Sequence, residues 1–159
     1  MAFSRATRFA LPLILAATAL SGTALAQAQL TQAEKTLKYR KALYQVISWN
    51  MGPMGAMARE QDKMPFNAKE FATRAGRVAA LTPMLPESYS PDTQGVAGSK
   101  LKADAWKNRA DFDAKMKDLV DRSATLAQVA KGGDPAKTKA AFFDMANTCK
   151  ACHDKYKED

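Results

Sequence analysis

From Leu30 onward apolar residues recur in steps of three and four, at Leu30, Ala33 and Leu37, then Tyr44, Ile47, Met51, Met54 and Ala58. That spacing marks one face of a first helix. Arg40 falls on the same stripe, a permanent charge among apolar neighbours. A second helix is predicted from Asn67, which with Glu70 three residues later makes a capping-box-like start. It carries Phe71, Ala75, Val78 and Leu81 on one face and stops at Pro83 or Pro86. The stretch LPESYSPDTQGVAGSK, 85–100, holds Pro, Gly and Ser without periodicity and reads as the one long connection. A third helix puts Phe112, Met116, Leu119, Ser123, Leu126 and Ala130 on a heptad-like line and ends at Gly132-Gly133. The fourth opens with Asp134 as cap and Pro135 in the first helical position, and carries Phe142, Met145, Cys149, Cys152 and Tyr156 on one face. No segment alternates as a strand would, and no internal repeat is present. Four amphipathic helices, with short links between first and second and between third and fourth, predict an all-α antiparallel four-helix bundle.

The residues before this pattern have a different character. Arg5 and Arg8 precede an apolar run from Leu11 to Leu20, and Ala24-Leu25-Ala26 follows. This is the layout of a secretory signal peptide over residues 1–26, cleaved after Ala26. The alternative, a membrane anchor, needs about 20 consecutive apolar residues, more than this run supplies. The expected mature chain is therefore one exported, periplasmic domain over residues 27–159, with no membrane span. Losing Arg5 and Arg8 takes its formal charge from +8 to +6. The lysines are interleaved with Asp and Glu, so this excess reads as a solubility feature with a bearing on partner docking, not as a nucleic-acid surface.

The sequence TCKACHDKYK, 148–157, contains the only two cysteines and the only histidine of the chain. On a helix Cys149 and Cys152 lie three apart and Cys149 and His153 four apart, so all three project from nearly one face. Cys-x-x-Cys-His is the attachment signature for haem c: both thiols become thioethers and the histidine coordinates iron. Export agrees with such a cofactor. A structural zinc site needs four ligands and would have to recruit carboxylates of no recognisable spacing. A thioredoxin-like pair belongs at a helix start in a βαβ setting, and a plain disulfide leaves His153 without a role. With no second histidine, bis-histidine ligation is excluded, and a strong distal ligand would be methionine, lysine or the terminal amine. Met51, Met54 and Met57 are the methionine candidates. Arg40 needs a partner, for which a haem propionate would serve, or else its long stem must carry the charge to solvent. No second histidine and no suggestively spaced carboxylate pair offers acid–base chemistry, which argues against an enzyme.

The chain resembles the cytochrome c′ family. The likeness is carried by CKACHDKY and by KYR at Lys38 to Arg40. It extends to the GPM step at Gly52 to Met54, to Trp106 and Phe112 placed in the third helix, and to GD and AAF before the haem motif. The resemblance implies a five-coordinate haem c, with Tyr44, four residues after the arginine of KYR, covering the distal face. In low-spin relatives a methionine stands at about this place. Met51 lies seven residues further, about 10 Å along the helix, too far to replace it. The resemblance also implies binding of nitric oxide or carbon monoxide, redox cycling of the iron with a periplasmic partner, and a homodimer packed through the first two helices. It places an arginine or lysine four residues beyond the histidine, here Lys157. A low-spin electron carrier with His/Met ligation is the alternative.

Overall fold

The computed structural model describes residues 29–60, 64–90 and 93–158. The leader expected at 1–26 lies outside the described residues.

The first helix, α1, runs Gln32–Arg59. Its start is a full capping box: the Thr31 hydroxyl accepts from the Glu34 N–H at 3.2 Å, and the Glu34 carboxylate accepts from the Thr31 N–H at 2.7 Å. Pro53, inside this helix, has no N–H to give the Trp49 carbonyl. Arg74 of the second helix donates to that carbonyl instead, at 3.4 Å. The helix closes at Glu60, whose left-handed backbone (φ 52°) lets its N–H reach back to the last turn. The stripe of α1 is wider than its apolar residues suggest. Leu43 and Asn50 are buried with Leu37, Arg40 and Ile47, while Tyr44 and Met51 sit half-buried at the edge of that stripe.

The second helix, α2, spans Ala68–Leu81, with the Asn67 side chain accepting from the Glu70 N–H at 3.0 Å. Only half of the expected box forms, because the Glu70 carboxylate pairs with Arg74. The chain then tightens through two 3₁₀ turns, Thr82–Met84 and Pro86–Ser88. A one-turn helix, α3 (Asp104–Lys107), precedes α4 (Arg109–Lys131). Trp106 therefore belongs to α3 and not to the third long helix, the two being separated at Asn108. After α4, Gly133 supplies the left-handed residue (φ 72°) that turns the chain, and Asp134 caps α5 (Pro135–Tyr156) by accepting from the Lys137 N–H at 3.0 Å.

In the bundle α1 packs on α2, α2 on α4, α4 on α5, and α5 closes back on α1. The predicted all-α four-helix bundle is thus the fold, with α3 and the 3₁₀ turns added inside its connection. Phe71, Val78, Leu126 and Met145 are wholly buried at the centre. Burying such side chains is worth roughly 1.5–3 kcal/mol each. Among polar groups, the Thr82 and Ser123 hydroxyls pair at 2.6 Å and tie the end of α2 to α4. The connection is also fastened to the far end of α5. The Lys102 N–H donates to the Tyr156 carbonyl at 2.8 Å, and the Glu158 N–H to the Lys100 carbonyl at 2.9 Å. That antiparallel bridge, centred on Leu101 and Lys157, lays residues 100–102 beside the end of α5.

Candidate cofactor-binding site

A cavity of about 970 Å³ opens between α1, the connection, α4 and the C-terminal half of α5. It lies at the upper end of the range for ligand pockets. Its α5 wall carries Met145, Thr148, Cys149, Cys152, His153 and Tyr156, the inward face that the helical spacing predicts. Cys149 and Cys152 are free thiols, half-buried, and the Cys149 Sγ–H points back to the Met145 carbonyl at 3.8 Å. Burial pushes both thiols above their ordinary pKa, an effect that the charge of Lys115 opposes at Cys152. His153 stands at the rim. Partial desolvation, and then the charge of Lys157, hold its pKa below the ordinary value, which favours the neutral ring that can donate a lone pair. Among the described residues no group of three or more His, Cys, Asp or Glu side chains is placed to hold a metal ion.

The opposite wall brings together residues far apart in sequence. Tyr44 of α1 meets Tyr89 of the connection, hydroxyl to hydroxyl, at 2.9 Å. Burial raises the pKa of both phenols, so the pair, which lines the same cavity as the thiols, is neutral at physiological pH. Arg40 does not run to solvent: it is 5% exposed, donates through Nε to the Ser88 carbonyl at 3.0 Å, and through Nη2 to the same oxygen and to the Thr93 hydroxyl at 2.7 Å. Its guanidinium lies 4.0 Å from the centre of the Tyr89 ring. Tyr89 in turn packs edge-on against Phe112 at 4.9 Å, and Phe112 against Tyr156 at 5.5 Å.

The five site residues expected from the sequence, Arg40, Tyr44, Cys149, Cys152 and His153, therefore line one cavity. Tyr89 was missed, since an aromatic in an aperiodic stretch carries no positional signal. Met54 and Met57 are in the core at 0% and 1% exposure and away from the cavity, whereas Met51, Met116 and Met145 are on its wall. The remaining lining is mostly apolar, with Lys41, Lys100, Lys115 and Lys157 around it and, among the described residues, no carboxylate. These features fit a covalent haem c. Two thiols and an imidazole share one helical face, the walls would suit an apolar macrocycle, and the cations around them would suit its propionates.

Comparison with known proteins agrees. Residues 35–157 match the family described as Cytochrome C′. Cytochrome c′ of Pararhodospirillum photometricum is 32% identical over 125 residues, covering 79% of this chain and 98% of that protein. The structure of cytochrome c prime from Shewanella frigidimarina superposes with a TM-score of 0.76 at 37% identity, covering 82% of this chain and all of that one. A nitric oxide complex of a mutant cytochrome c prime from Alcaligenes xylosoxidans is similar at a TM-score of 0.73 and 26% identity, over 82% of this chain and all of that one.

Proposed function

The chain belongs to the cytochrome c′ family, whose cofactor is covalently bound haem c, and from that premise we propose that it is an exported, periplasmic gas-binding cytochrome with a five-coordinate haem. The carrying observation is the cavity itself, with one histidine on its α5 wall and a phenol in place of a strong ligand opposite. When bound, haem supplies an iron that cycles between ferric and ferrous and accepts a small diatomic ligand. Cys149 and Cys152 would hold it by thioethers and His153 by its lone pair. Arg40 has its Nε and Nη2 donors engaged by Ser88 and Thr93, which leaves Nη1, among the described residues, for a propionate. Tyr44 covers the distal side and narrows the path of incoming gas. No described helix is long and apolar enough to cross a membrane. A homodimer through α1 and α2 agrees with Val46 and Trp49, 48% and 76% exposed on α1.

A second reading, a low-spin electron carrier, draws on Met51, Met116 and Met145 at the cavity wall. Visible and electron paramagnetic resonance spectra of the holoprotein, ferric and ferrous, with and without nitric oxide, separate the two. A high-spin spectrum that responds to the gas supports the open site. A low-spin spectrum with a methionine-to-iron band, indifferent to gas, supports the carrier.

A further inference from the structure

We propose that Tyr89, on the connection between α2 and α3, acts through Tyr44 to make the distal wall a hydrogen-bond donor, favouring ligands that carry negative charge on their outer atom. This rests on the reading of the cavity as an open haem site and concerns which ligands that site prefers.

Two phenols bring two O–H groups, and the 2.9 Å contact between them uses one. Neither hydroxyl has another hydrogen-bond partner among the described residues. One O–H is left over in a cavity that both rings line. A bound ligand with a basic outer atom would accept it, and buried donors are rarely left unused.

Arg40 decides which phenol keeps the spare hydrogen. Its guanidinium lies over the ring of Tyr89. That positive charge favours negative character on the Tyr89 oxygen, making Tyr89 the stronger acid of the two; against burial, the hydrogen bond with Tyr44 and then Arg40 work to lower the Tyr89 pKa, whereas Tyr89 raises that of Tyr44. The stronger acid donates, so the Tyr89 O–H points to the Tyr44 oxygen and the Tyr44 O–H faces the cavity. Hydrogen bonds in series polarise one another in the same sense, so each donor strengthens the next. Tyr89 is also held in place. Its ring is clasped between Arg40 and Phe112, and its carbonyl accepts from Arg109 Nη1 at 2.9 Å. Tyr89 is thus a positioning residue, and Tyr44 the group that meets the ligand. Carbon monoxide carries little charge on its outer atom and gains little; azide carries more and gains more.

The test uses holoprotein: azide binding to the ferric form, carbon monoxide binding and the C–O stretching frequency of the ferrous form, in wild type, Tyr89→Phe, Tyr44→Phe and the double variant. Tyr89→Phe is expected to weaken azide roughly three- to tenfold, to change carbon monoxide affinity less, and to raise the C–O stretch. Because the two act in series, the double variant should match Tyr44→Phe alone and not the sum. A Tyr89→Phe protein that binds azide and reports the same stretch as wild type would overturn the proposal, as would additive effects. Should Tyr89→Phe not fold, the shift of the wild-type C–O stretch in heavy water reads the same hydrogen bond, and no shift would count equally against it. Wild-type holoprotein that binds neither ligand would instead sink the open-site reading, a different failure.

Discussion

Arg40 and Ser88, 48 residues apart in the chain, are joined by two hydrogen bonds from one guanidinium to one carbonyl, with the Thr93 hydroxyl taking a third. The contact pins the connection to α1, and through it Tyr89 to the cavity. A planar fork can satisfy this geometry where an ammonium cannot.

Arg40→Lys is therefore expected to destabilise the holoprotein by about 1.5–3 kcal/mol, since buried hydrogen bonds from a charged donor are lost. Urea unfolding checks this. A loss within about 0.5 kcal/mol would mean that the fork is incidental to the fold.

On the proposed reading Tyr44→Ala removes the steric cover from a residue of α1, with no change to the residues of the α5 wall. The rate of carbon monoxide binding, followed by flash photolysis, should rise about tenfold or more, which corresponds to about 1.4 kcal/mol off the barrier. An unchanged rate would show that gas enters by another route.

Two glycines should respond to alanine with opposite signs. Gly76, exposed within α2, has nothing within 4 Å of an added Cβ, so Gly76→Ala should stabilise by about 1 kcal/mol. Gly133 is equally open, but its φ of 72° suits only glycine well, so Gly133→Ala should destabilise by about 1 kcal/mol. Melting temperatures of the two variants measured side by side decide it.

Asp111 accepts hydrogen bonds from the Tyr156 hydroxyl at 2.5 Å and Lys155 Nζ at 3.0 Å, which hold its pKa below the ordinary 3.8. A depressed carboxylate contributes stability that is fully present above its unfolded pKa and lost as pH falls through its folded one. Stability of the wild type should thus decline below about pH 4 more steeply than that of Asp111→Asn. Parallel acid curves for the two would refute the linkage.

Most of the architecture was legible from periodicity and punctuation. The caps at Asn67 and Asp134, the glycine stop after α4 and the inward face of α5 depend on residues within one or two turns of each other. The capping box of Thr31 and Glu34 was equally local and was overlooked. Trp106 was misplaced because the backbone break at Asn108 leaves no mark in the apolar pattern.

The Cys149, Cys152 and His153 constellation was determined by sequence alone, because its geometry is that of consecutive helical turns and the chain offers no other cysteine or histidine. What faces that constellation was decided only by tertiary structure. Periodicity shows which residues of α1 turn inward, but not that Tyr44 would meet a tyrosine 45 residues away, or that Arg40 would clasp the same segment. The reason is physical: an aperiodic connection has no face of its own, and its side chains acquire positions only when the helices it joins hold its ends in place.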